Sequence, residues 1–202
     1  MRSVDTRTAQ AHPGVIAVFT AADVPVNEYG LINADQPVLV GIGSDKAGAD
    51  VARFVGDQVA LVVAESESAA AAARELIEVT WEDLPVVSDP RQSMRPDATP
   101  LFPGRESNIV KHNRIRKGEV QAAWPHCAVV AEAEYRTPAQ EHAFLQPEAG
   151  LAYIDAEGRV TVEVAGQWLH EEQDQIAHAL GLPAEKVRVI HPAIGGAFGG
   201  RE

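Results

Sequence analysis

The residues best suited to chemistry lie in IGGAFGGRE (194–202), where four glycines fall within six positions. Glycine has no Cβ, so such a loop lets backbone N–H groups come close to a ligand. Three ligand classes compete for it, beside a purely structural tight turn at a strand crossing. A phosphate-binding loop runs strand, G-x-x-x-x-G-K-[ST], helix. Gly195 and Gly200 have that spacing, but Arg201 stands for the lysine and Glu202 for the magnesium-binding hydroxyl. The dinucleotide pattern G-x-G-x-x-G fails because Ala197 occupies its second glycine. The third class is a bulky anionic or oxo-bearing cofactor cradled by N–H donors. A loop of this kind needs structure on both flanks, and only one is present before Glu202. The site is therefore expected to be split, with part of it encoded further on.

Other reactive side chains add little. Cys127 is the one cysteine, which supports neither a disulfide framework nor a cysteine-ligated cluster or zinc within the chain. Seven histidines are scattered without an HExxH motif or a tight pair, so no metal ligand set is assigned. The 202 residues carry 29 acidic against 17 basic side chains, net −12. So negative a surface repels phosphate backbones, and nucleic acid is not an expected partner. Neither a membrane span nor a secretory leader is read in the sequence, so a cytoplasmic location is expected.

The elements that must position the loop follow from periodicity. Val15–Phe19, entered from Pro13–Gly14, reads as a strand, and Thr20 caps a single helical turn. Val59–Val63 reads as a buried strand. Ser66 opens an alanine-rich helix through Leu76, and Ile77, Val79 and Trp81 alternate as a strand should. Together these predict a strand–helix–strand unit. Five prolines between Pro85 and Pro103 rule out continuous sheet or helix over about 86–112, which reads as an interdomain linker. The chain thereby divides into 1–92, a linker 93–112, and 113–202. Beyond it, Val129–Tyr135, Gly150–Ile154 and Val160–Val164 are predicted strands, the last two joined by a DAEG turn. A helix over about His170–Leu180 places Leu169, Gln173, Ile176 and Leu180 on one side, and Gly181–Leu182–Pro183 stops it. Val187–Ile190 is the strand that leads into the glycine loop.

Taken together, several stretches resemble one family, the large molybdenum-cofactor subunits of the xanthine dehydrogenase and aldehyde oxidase group. QEHAFLQPEAGLAYI (140–154), AGQWLHEEQDQIAHALGLPAEKVRVI (165–190) and IGGAFGGRE are similar to segments of its cofactor domain. SVDTRTAQAHPGVIAVFTAADVP (3–25), VGDQVALVVAES (55–66) and IEVTWEDLPVV (77–87) are similar to its hammerhead domain. The resemblance implies an α+β fold: a small α/β hammerhead domain, truncated at its N-terminus, then the N-terminal part of a mixed α+β molybdenum-cofactor-binding domain.

It also implies roles. Gln167 matches a glutamine that hydrogen-bonds an oxygen ligand of the metal. Phe198 and Gly199 match loop residues whose backbone contacts the molybdopterin cofactor. Glu202 matches a glutamate that contacts the heterocycle in purine-oxidising members. Ala197 and Arg201 stand where many relatives have glycine and lysine. The family's catalytic glutamate base has no counterpart in this sequence, so no catalytic residue is assigned. The implied activity is hydroxylation of a heteroaromatic or aldehyde carbon with water-derived oxygen. Electrons would leave through iron–sulfur clusters, commonly to FAD, on other domains or subunits. The implied partners are the remainder of the large subunit and those iron–sulfur and FAD subunits. The alternatives are a non-catalytic remnant or interaction module with the same fold and, with less support, a nucleotide-binding loop.

Overall fold

Strand β1 (Ser3–Asp5) and the one-turn helix α1 (Arg7–Gln10) open the chain, followed by β2 (Val15–Phe19) and a 3₁₀ turn, Ala21–Asp23. The computed structural model describes residues 1–201. Thr20 and Asp23 bracket that turn: the Asp23 carboxylate accepts the Thr20 N–H at 2.7 Å and its hydroxyl at 2.9 Å, and the Thr20 carbonyl accepts the Asp23 N–H at 3.0 Å. After a long irregular stretch come β3 (Leu61–Ala64), α2 (Glu67–Arg74) and β4 (Glu78–Thr80). The Ser66 hydroxyl accepts the Ala69 N–H and starts α2, as its position before the alanine run predicts.

The predicted strand–helix–strand order is present, but the two strands join different sheets. β3 pairs antiparallel with β2, and β4 pairs antiparallel with β1, a three-residue strand too short to show periodicity. α1 and α2 close over the β2–β3 pair. Ala9, Val18 and Ala73 form the buried centre, with Val15, Val62, Leu76 and Ile77 packed around it. Small residues at Ala9 and Ala73 let the two helices approach closely.

The proline-rich stretch contains one helical turn, α3 (Pro90–Ser93), which the proline density had not suggested. It forms because Pro90 sits at the first helical position, where its missing N–H costs nothing, and because Asp89 caps the Arg91 N–H at 2.8 Å. The stretch also folds back on the first section. Arg53 donates from Nε to the Leu101 carbonyl at 3.0 Å and lies 4.8 Å from the Phe102 ring centre. A second short helix, α4 (Val120–Ala123), runs into a 3₁₀ turn.

Val129–Tyr135 is not a strand. Val129 and Tyr135 are largely exposed, and the segment pairs with no ladder among the described residues. Its alternating apolar residues satisfy propensity, but a strand also needs backbone partners.

The last section is a three-stranded sheet in the order β5–β6–β7: β5 (Gly150–Ile154), β6 (Val160–Val164) and β7 (Val187–Ile190). β5 and β6 are antiparallel; β6 and β7 are parallel, joined by α5 (Leu169–Leu180). Asp155 builds the β5–β6 turn. Its carboxylate accepts the Arg159 N–H at 2.9 Å, Arg159 Nε at 2.9 Å and the Thr161 hydroxyl at 3.1 Å. The Arg159 backbone bond first, then its side chain and Thr161, hold this carboxyl down at about 2.

α5 packs Leu169, Ile176 and Ala177 on Val160, Val164, Val187 and Val189. Gln173 faces the same way but donates to the Ala184 and Val187 carbonyls, tying the helix to the entry of β7. Leu180, on the predicted stripe, stays at the rim. Gly181 ends the helix in the left-handed conformation, φ +65°. A loop of the first section grips α5 from outside. Val26 donates to the Ala179 carbonyl, and the Glu28 carboxylate lies 2.9 Å from His178 and 3.0 Å from Lys46. His178, then Lys46, push the Glu28 carboxyl below its usual range. Among the described residues no helix is long and apolar enough to cross a membrane.

Candidate functional site

β7 delivers the chain through His191 into the glycine loop, and alternate residues of 142–146 lie along it in the opposite direction. A Cβ on Gly200 would sit 2.9 Å from the His142 ring, one on Gly196 3.1 Å from Phe144 Cβ, and one on Gly195 2.9 Å from Gln146 Cβ. These three glycines are therefore required by internal packing. Leu145 donates to the Gly195 carbonyl at 3.3 Å, and Gln146 Oε1 accepts the Gly195 N–H.

Gly199 differs. A Cβ there would meet nothing within 4 Å, and its φ is +85°. Phe198 before it also has positive φ, +56°, and its ring is mostly exposed. A left-handed phenylalanine is unusual and marks backbone held by its surroundings. This end of the loop thus turns open backbone outward.

Gln167 comes from the turn between β6 and α5. Its Oε1 accepts the Gly199 N–H at 3.0 Å. That bond fixes which way the carboxamide points, because only the oxygen can accept. Nε2 is left as an outward donor with no acceptor among the described residues.

Arg201 locks the loop to this turn. Its backbone carbonyl accepts the Gln167 N–H at 3.1 Å. Its guanidinium is 4% exposed and donates to the Ala165 and Pro147 carbonyls at 3.1 and 3.2 Å. It also pairs with Glu148 at 3.0 Å and stacks 4.3 Å over the Phe144 ring. Arg201 Nε is buried without a partner. A guanidinium so committed faces inward and cannot play the part of a phosphate-binding lysine, which removes the nucleotide-loop alternative.

On the other flank, Glu172 in the first turn of α5 accepts the Trp168 N–H at 3.2 Å and lies 2.6 Å from His191 Nε2. The structure brings Gln167, Phe198 and Gly199 to one place; Glu202 lies outside the described residues. Gln146, Glu172, His191 and the inward role of Arg201 had no assignment from sequence. Their signal was present only as polar residues inside the segments already singled out. Among the described residues no group of three or more His, Cys, Asp or Glu side chains could hold a metal ion. Donors here are amide nitrogens, which suit the oxygen atoms of a bulky group.

Residues 1–85 match the family described as aldehyde oxidase and xanthine dehydrogenase, a/b hammerhead domain. Residues 101–202 match the molybdopterin cofactor-binding domain. The chain is 35% identical over 201 residues to a probable xanthine dehydrogenase subunit of Bacillus subtilis, covering 99% of this chain and 26% of that protein. It is 34% identical to the nicotinate dehydrogenase large molybdopterin subunit of Eubacterium barkeri, covering 98% of this chain and 45% of that protein. Its structure resembles the aldehyde oxidoreductase of Desulfovibrio gigas with a TM-score of 0.85 at 26% identity, covering 98% of this chain and 22% of that one. The class is thus an α+β protein with a hammerhead section and a molybdopterin-binding section. This chain belongs to the aldehyde oxidase and xanthine dehydrogenase family, and it spans less than half the length of these relatives.

Proposed function

We propose that this chain is part of the large subunit of a cytoplasmic molybdenum hydroxylase. In our reading that enzyme inserts water-derived oxygen at a carbon of a heteroaromatic or aldehyde substrate. The observation that carries the reading is the Gln167–Gly199 bond, which spends the carboxamide oxygen internally and leaves its nitrogen as a free donor beside open backbone. The residues fit the cofactor: the side of Gly199 is clear of protein atoms, and positive φ at Phe198 and Gly199 turns main chain outward. The molybdenum–pterin, when bound, supplies the redox chemistry.

The chain's own residues bind and orient. Gln167 Nε2 would donate to an oxygen carried by the cofactor, and the Phe198–Gly199 backbone would lie against it. A fixed donor of this kind is most effective where charge on its acceptor changes during the reaction. In this reading electrons would leave through iron–sulfur clusters and FAD on partner domains or subunits. Two relatives are named for xanthine and nicotinate, both nitrogen heterocycles, which supports a ring substrate.

Replacing Gln167 by alanine in the cofactor-loaded large subunit tests this. One lost donor lowers kcat by about 10²–10³, with KM nearly unchanged. An unchanged kcat in metal-replete protein contradicts it.

A further inference from the structure

Gln167 carries the free donor, yet it stands in a four-residue turn, Ala165–Trp168, between β6 and α5. Both peptide N–H groups around its Cα are pinned. Its own N–H goes to the Arg201 carbonyl, and the next, from Trp168, goes to Glu172 Oε1 at 3.2 Å. The other carboxylate oxygen of Glu172 lies 2.6 Å from His191 Nε2, where β7 leaves the sheet. Both side chains are well shielded, at 14% and 17% exposure. Glu172 presses directly on Gly166. A Cβ at that position would stand 1.8 Å from Oε1, so any larger residue would push the carboxylate from its present place.

We infer that Glu172, held by His191, is a positioning residue for the Gln167 carboxamide. The geometry supplies the path. With both flanking peptide planes fixed, the Gln167 Cα–Cβ bond has one direction, and from it the carboxamide reaches the Gly199 N–H, which Oε1 accepts at 3.0 Å. The pair also spans α5 and β7, so it sets the distance between the turn carrying Gln167 and the strand feeding the glycine loop. A helix cap alone would need the Trp168 bond but neither His191 nor the glycine at 166.

The inference rests on the proposed function for what Gln167 does, but not for how it is held. The test therefore reads position first, by amide hydrogen exchange in the cofactor-free large subunit containing this segment. Amides of β6 serve as the internal reference. Glu172→Ala speeds exchange at Trp168 and Gly199 by about two- to tenfold, the range of one lost hydrogen bond, and leaves β6 unchanged. Glu172→Gln, which keeps an acceptor for Trp168, brings Gly199 back to within about twofold of the parent. If Glu172→Ala also loosens β6, His191→Leu decides, since it releases Glu172 without touching the helix start. Faster exchange at Gly199 then supports the inference.

Unchanged Gly199 exchange, with only the first turn of α5 faster, reduces Glu172 to a helix cap and overturns it. In the cofactor-loaded protein, Glu172→Ala lowers kcat with KM held, and adds little to Gln167→Ala. Should Gly199 respond while kcat ignores Gln167→Ala, the positioning role stands and the cofactor reading falls.

Discussion

Replacing Arg201 by methionine removes the strongest tie between the glycine loop and the rest of the site. The guanidinium makes two bonds to backbone carbonyls, at Ala165 and Pro147, and stacks on Phe144. Hydrogen bonds from a charged group contribute about 1.5–3 kcal/mol each, and a cation–π contact about 0.5–2. The desolvation of a side chain only 4% exposed offsets part of this. Glu148, the ionic partner, is 70% exposed and is left solvated, so its loss adds little. Methionine fills much of the same volume, which limits any cavity. The net loss is about 2–4 kcal/mol. For 202 residues, where each kcal/mol shifts the midpoint by about 2–4 °C, the melting temperature falls by roughly 4–16 °C. Arg201→Lys retains one carbonyl bond and lies between, because an ammonium cannot span both oxygens. Thermal melts followed by circular dichroism read the series. Full stability in Arg201→Met, or full recovery in Arg201→Lys, would refute the clamp.

The β5–β6 turn titrates through Asp155. Its folded value, about 2, is below the ordinary 3.8, so its contribution is complete above about pH 4 and is lost as pH falls through 2. Urea midpoints across pH 2–7 are expected to fall on acidification in the parent. In Asp155→Asn they start lower and fall less steeply between pH 4 and 2; an identical slope in both would contradict the assignment. In a completed large subunit, Glu202→Val reduces kcat/KM for a nitrogen heterocycle by about tenfold or more beyond its effect on a plain aromatic aldehyde. Equal losses for the two substrates, in steady-state assays, would remove Glu202 from ring recognition.

Much of the last section was legible because turn residues bracket each element. Gly158 and Gly181 fix the ends of β5–β6 and α5, and the strands 150–154, 160–164 and 187–190 fall as the periodicity predicts. Val129–Tyr135 misled for a physical reason: alternation measures a preference for a pleated surface, while a strand also needs a partner's backbone. β1 went unread because three residues carry no period, and α3 because proline at a first helical position looks like proline anywhere.

The site shows a different limit. Gln167 and Gly199 are 32 residues apart, and no local pattern links them; family resemblance alone singled them out. Arg201 looked like a replaced phosphate-binding lysine, and only its inward contacts show otherwise. Glu172 and His191 sat in stretches read for helix and strand, where an acidic first turn and a strand-end histidine each have ordinary explanations.

In the proposed reading Gln167 spends its oxygen on Gly199 and thereby presents its nitrogen to the cofactor. A crystal structure of the molybdopterin-loaded large subunit containing this segment measures it directly. Gln167 Oε1 is expected still on the Gly199 N–H, with Nε2 within about 3.2 Å of a cofactor oxygen. A carboxamide turned to solvent, or a cofactor whose oxygens all lie beyond about 4 Å from Nε2, would contradict it.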